Sequence, residues 1–240
     1  MKKFIVIAAL VFAVPLAGKC QILKDLENKV SGSNGSGPLS SDDVAKGLKD
    51  ALTRGADNSA LSLNKKNAYF MNNVIKILMP PDAQNAEKTL RSAGFGYMVD
   101  SAIVSMNRGA EDAAIASKPI FESAVTHMTI TDAMNILKGS NDAATQYLRK
   151  TTYDSLYAKF KPIIQASLNK VGATKYWADV FNKYNKIPFV KKVNPDLVSY
   201  VTGKALDGLF YAIAQEELKI RTNPAAQVDD LLKEVFGGSH

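Results

Sequence analysis

Leu206-Asp-Gly-Leu209-Phe210-Tyr-Ala-Ile213-Ala-Gln-Glu-Glu217-Leu-Lys-Ile220-Arg221 carries the clearest helical periodicity of the chain. At 100° per residue, Leu206, Leu209, Phe210, Ile213 and Ile220 fall on one stripe, the three-and-four spacing of an amphipathic helix. Pro195 and Asp196 stand at its head, so a helix is expected over Asp196 to Arg221. Glu217 lies inside the apolar stripe. A carboxylate there must be paired, protonated or in contact with water or ligand, because burying it alone costs several kcal/mol, roughly. Arg221, one turn on, is within reach at the i,i+4 spacing.

Working outward, the same periodicity recurs in almost every window from Leu39 to Phe236, and no period-2 alternation stands out. Ser40 and Ser41 with Asp42 and Asp43 open a helix through Ala45, Leu48 and Leu52. Pro80-Pro81-Asp82 stops one segment and opens another that ends before Gly94. A long helix is expected from about Gly96 to Ala116, and Lys118-Pro119 starts the next. Thr129 with Asp132 resembles a capping box for a helix ending at Lys138-Gly139. Asn141 or Asp142 is expected to cap a helix to about Lys150, and Thr151 with Asp154 another to Val171, ended by Gly172. Helices over Thr174 to Tyr184 and Pro224 to Phe236 complete the set. The expected fold is all-α, a single-domain bundle of nine or ten helices with no significant β-sheet.

The chain of 240 residues is 46% hydrophobic and 22% charged and carries one cysteine, which excludes a disulfide scaffold and a disordered tail. Lys2 and Lys3 precede an apolar run from Phe4 to Leu16, the layout of a secretory signal peptide. Residues 1–20 are read as that peptide, cut after Cys20, and the protein is expected in the periplasm. Lys19 stands where a lipoprotein box has a small residue, which disfavours lipid anchoring at Cys20. Loss of Lys2, Lys3 and Lys19 takes 30 basic residues to 27 against 23 acids and leaves a net charge of +4. The basic residues are spread rather than clustered, so nucleic acid is an unlikely partner and weak attraction to an anionic membrane surface is the better expectation. Residues 21–38 read as a short amphipathic stretch and a Gly/Ser linker, 39–236 as the helical domain and 237–240 as a flexible tail.

No HExxH, CxxC pair, EF-hand loop or phosphate-binding glycine loop occurs, so no cofactor or metal is expected. His127 is read as a surface residue at a helix C-terminus. The candidates for function are polar residues on apolar faces. Asn107 lies beside Val99, Ile103, Met106 and Ala110 on the long helix, with Glu111 one turn later. Thr145, Tyr147 and Arg149, with Lys161 before Pro162, could supply matching donors. Pro162 inside a helical pattern is expected to bring irregular backbone beside Lys161.

The run Asp142-Ala-Ala-Thr145-Gln-Tyr147-Leu-Arg149, with Lys161-Pro162, Lys204-Ala-Leu-Asp207-Gly-Leu-Phe210, Glu216-Glu217 and Ile220-Arg221, resembles the bacterial family DUF4197. The likeness spans about Leu39 to Phe236 and includes Met106-Asn107-Arg108 with Glu111. It implies an exported helical protein of Gram-negative bacteria and brings no catalytic residue. The candidate cluster is therefore Asn107, Glu111, Thr145, Tyr147, Arg149, Lys161, Lys204, Asp207, Glu217 and Arg221.

Three functions compete at this point. The first is a non-enzymatic envelope protein that binds a small or lipid-like ligand or a protein partner. The second is a structural or assembly protein whose polar network fixes packing. The third is a carboxylate-dependent hydrolase using Glu217, Glu111 or Asp207. Convergence of the polar residues on an open pocket favours binding or catalysis, and closure in a dry core favours the structural reading.

Overall fold

A computed structural model describes residues 40–170, 172–186, 192, 194 and 196–222. The expected signal peptide, Cys20, the 21–38 linker, the Pro224 to Phe236 helix and the 237–240 tail lie outside the described residues. The described residues all fall within one compact unit, which begins at Ser40. The helices are α1 Ser41–Leu63, α2 Gln84–Ser92, α3 Gly96–Ala114, α4 Lys118–Thr126, α5 Ile130–Leu137, α6 Ala143–Lys170, α7 Ala173–Tyr184 and α8 Leu197–Thr222. Short 3-10 turns precede α2 and α4. Among the described residues the fold is all-helical, without a strand, and its α-helices are fewer than the nine or ten expected.

One reason for the smaller number is α6. Thr151 does not cap a new helix; its hydroxyl donates to the Tyr147 carbonyl at 2.9 Å, one turn back in the same helix. Pro162 does not interrupt the helix either, since α6 runs through it to Lys170. Packing explains why. Leu148, Leu156, Phe160, Ile164 and Leu168 recur at multiples of four and are all 0% exposed, so the core holds the helix on both sides of the proline and outweighs its missing N–H.

The remaining punctuation behaves as the residues dictate. Ser40 Oγ accepts the Asp43 N–H at the head of α1. Thr129 and Asp132 form a reciprocal capping box on α5. Hydrogen bonds from Thr129 hold the Asp132 carboxyl below its ordinary range. Gly172, with φ +68°, follows the end of α6 in the left-handed conformation that a side chain would strain. His127 caps the C-terminus of α4 at the surface.

α6 and α8 lie against each other at the centre, with α3 packed on both and α1 against α8, α4 and α5. Val201, Ala205, Leu206 and Leu209 of α8 and Met106, Ala110, Ala113 and Ala114 of α3 are fully buried in this core. The connection from Asn64 to Pro80, here called the strap, crosses the bundle without forming a helix. From Val74 to Met79 it alternates. Ile75, Ile77 and Met79 are buried, while Val74 and Leu78 are exposed. This is the period-2 pattern the sequence reading missed, hidden because two of its three outward positions, Val74 and Leu78, are apolar as well.

Candidate functional site

Glu217 is 5% exposed on the inner face of α8. Its Oε1 accepts the Ala144 N–H at 2.9 Å, and its Oε2 accepts the Thr145 N–H at 2.9 Å and the Thr145 hydroxyl at 2.8 Å. Ala144 and Thr145 are the second and third residues of α6, where helix geometry leaves N–H groups without intrahelical acceptors. The carboxylate thus caps α6 from another helix, at the positive end of its dipole. Arg221 completes the arrangement. Its Nε and Nη2 donate to Glu217 Oε1 at 3.0 and 2.9 Å. Nη2 also donates to the Ile136 carbonyl at 2.8 Å, and Nη1 to that of Leu137 at 3.3 Å, both in the last turn of α5. Each charge faces the helix end of opposite sign, and the pair staples the corner between α5 and α6. The void beside it holds only about 10 Å³, room for one water at most.

A second buried group holds the strap to α3. Glu111, 2% exposed, accepts the N–H of Tyr69 at 3.1 Å and of Phe70 at 3.4 Å through Oε1. Arg108 donates to its other oxygen and reaches Asn67 Oδ1 at 2.6 Å. Asn67 turns the strap with φ +72°, a left-handed conformation that asparagine tolerates better than most residues. Asn107, fully buried, accepts the Ile77 N–H at 2.9 Å and donates to the Ile77 carbonyl at 2.8 Å and the Ile103 carbonyl at 2.7 Å. The amide stands in for the neighbouring strand that an extended segment would otherwise need. From the far side, the Tyr69 hydroxyl donates to the Ala205 carbonyl of α8 at 2.7 Å. Burial, and then the Glu111 charge, push the Tyr69 phenol far above its ordinary pKa, so it remains a donor. Only glycine fits at 208, because a Cβ there would sit 2.4 Å from Tyr69 Cε1.

The other expected site residues are at or near the surface. Arg149 Nη2 donates to Asp207 Oδ1 at 2.8 Å, with Lys204 Nζ at 3.6 Å from the second oxygen, all three side chains about half exposed. The Arg149 guanidinium also lies 5.2 Å from the Phe210 ring centroid. Lys161 Nζ donates to Ser199 Oγ at 3.0 Å. Tyr147 packs against the edge of the core, where burial raises its phenol pKa. Glu217, Arg221 and Thr145 therefore meet in one place, Arg149, Lys204 and Asp207 in another, and Asn107 and Glu111 along the strap. The ten do not share one pocket.

Sequence reasoning passed over a groove between α2, α3 and α7. Its volume is about 400 Å³, within the ~300–1,000 Å³ usual for ligand sites, and its wall is apolar. Met79, Leu90, Met98, Ala102, Trp177 and Phe181 are among the residues that line it. Trp177 and Phe181 tilt together at a centroid distance of 4.4 Å. The signal available was weak, a Trp and a Phe one turn apart on a short helix. Among the described residues no group of three or more His, Cys, Asp or Glu side chains could hold a metal, and no helix is long and apolar enough to cross a membrane.

A family model described as a protein of unknown function, DUF4197, matches residues 38–237, and the chain belongs to that family. No curated protein and no solved structure matches it.

Proposed function

We propose that the protein is an exported cell-envelope protein that binds an apolar or lipid-like small molecule in the Trp177 groove without converting it. The observation that carries this reading is the groove itself, an apolar hollow of about 400 Å³ rimmed by Tyr97 and Met98, which are 67% and 39% exposed. Few polar groups interrupt the wall. Ser105 Oγ is already committed to the Ser101 carbonyl at 2.7 Å, and Glu87 to Arg91 at 2.9 Å. Such a surface recognises shape and hydrocarbon rather than charge. Export rests on the signal-peptide reading of residues 1–20, and the periplasm is the compartment it implies.

In this proposal the buried carboxylates serve the frame. The hydrolase reading has the least support, since the oxygens of Glu217 and Glu111 are already taken by backbone N–H groups and guanidinium donors. The structural or assembly reading draws on the same observation, together with the absence, among the described residues, of any buried side-chain polar atom without a partner.

Trp177 is the only tryptophan of the chain and reports on the groove directly. A bromine-labelled fatty acid should quench its emission saturably, and Ala102→Phe, which fills the groove, should abolish the quenching while the fold survives. Absence of saturable quenching below the micelle concentration would leave the structural reading in its place.

A further inference from the structure

From Asn58 to Pro81 the chain carries Lys65, Lys66 and Lys76 and no acid, and most of this run is the strap. Its inward residues anchor it. Tyr69, Ile75, Ile77 and Met79 are buried, Asn107 and Glu111 hold its backbone, and the Tyr200 hydroxyl donates to the Leu78 carbonyl at 3.1 Å. Three of its outward residues are apolar without need. Met71 is 71%, Val74 66% and Leu78 55% exposed. Val74 and Leu78 share a hollow of about 490 Å³ with Tyr211, Lys76 and Lys204. Asp207 lies there too, already opposed by Arg149 and Lys204, and Asp82 lies beyond Pro81. A single exposed apolar side chain is ordinary. Three on one braced, acid-free connection, two of them around a hollow with two lysines, have the chemistry of a peripheral membrane contact.

We infer that the strap is a docking edge for an anionic phospholipid surface. Val74 and Leu78 enter the boundary between headgroups and acyl chains, with Tyr211 at headgroup level. Lys76, whose ammonium lies 4.1 Å from the Phe70 ring centroid, meets phosphates from a position where its stem covers apolar surface, with Lys204 on the wall of the same hollow. Lys65 and Lys66 add to the attraction. The inference does not depend on what fills the Trp177 groove. The two hollows share only Met79, which is left untouched in the test.

The test is cosedimentation of the chain starting at Gln21, which retains the Ser40–His240 unit, with vesicles of phosphatidylcholine alone or mixed with phosphatidylglycerol. Binding is expected to the mixed vesicles, to weaken at high salt and to be slight on the neutral ones. The double variant Val74→Asp/Leu78→Asp and the triple variant Lys65→Gln/Lys66→Gln/Lys76→Gln should each weaken it by roughly tenfold or more, with melting temperature and Trp177 quenching unchanged. No binding to the mixed vesicles, equal binding to neutral ones, or full binding by both variants would overturn the inference. So would displacement by an equal amount of soluble glycerol phosphate, which would indicate a pocket for the headgroup alone.

Discussion

Glu217 and Glu111 occupy two corners of the molecule that differ in one instructive respect. Both are nearly excluded from water at 5% and 2% exposure, both pair with an arginine of their own helix, and both accept two backbone N–H groups. At Glu217 those N–H groups belong to the start of a helix, and the partner Arg221 side chain is only 9% exposed. At Glu111 they belong to a connection that is itself neither helix nor strand, and Arg108 remains 29% exposed. In each case the acid supplies an acceptor where regular structure has none. The difference lies in what stays behind if the acid is removed: an enclosed cation at one corner, and one able to turn to water at the other.

Substitution separates the two corners. Glu217→Ala should cost the most, about 3–5 kcal/mol, because it removes the anionic partner of a nearly enclosed guanidinium and the acceptor of two helix-start N–H groups. Glu111→Ala should cost less, about 1–3 kcal/mol, the penalty for unsatisfied backbone donors beside a cation that water can reach. Urea unfolding of both variants decides the order, and a larger loss at Glu111 would break the comparison. Next comes Gly208→Ala, which pushes a Cβ into the Tyr69 ring and so attacks the strap from the α8 side. It should cost about 1–3 kcal/mol, and much less in a Tyr69→Ala background. Smallest is Arg149→Ala. It breaks an ion pair whose side chains are each 48% exposed, so the change in unfolding free energy should stay below about 1 kcal/mol despite the 2.8 Å contact.

Much of the Glu217 corner was legible in the sequence. The 100° step placed the acid on the apolar stripe, the i,i+4 spacing named Arg221, and Thr145 was among the expected donors. What the sequence could not show was that the acceptor would serve an α6 helix start more than 70 residues away, because nothing local to either segment records the meeting. Asn107 was likewise readable as an amide on an inner face. Its partner was not, since the strap's alternation of Ile75, Ile77 and Met79 is masked by apolar Val74 and Leu78 on the other side. Asn64, Asn67, Asn72 and Asn73 ahead of Pro80-Pro81 were the usable sign of a non-helical connection. Pro162 failed as a signal for the opposite reason. The burial of Leu156, Phe160, Ile164 and Leu168 decides that helix, and burial is a tertiary property.

The central claim is that buried side chains, not a regular ladder, hold the strap and the start of α6. Hydrogen exchange followed by NMR at the amides of Tyr69, Ile77, Ala144 and Thr145 tests it most directly. All four should exchange with the slow core of α6 and α8, at roughly 10³ below the unfolded-chain rate or slower. Exchange near the unfolded-chain rate at these amides, in a protein whose core helices stay protected, would contradict it.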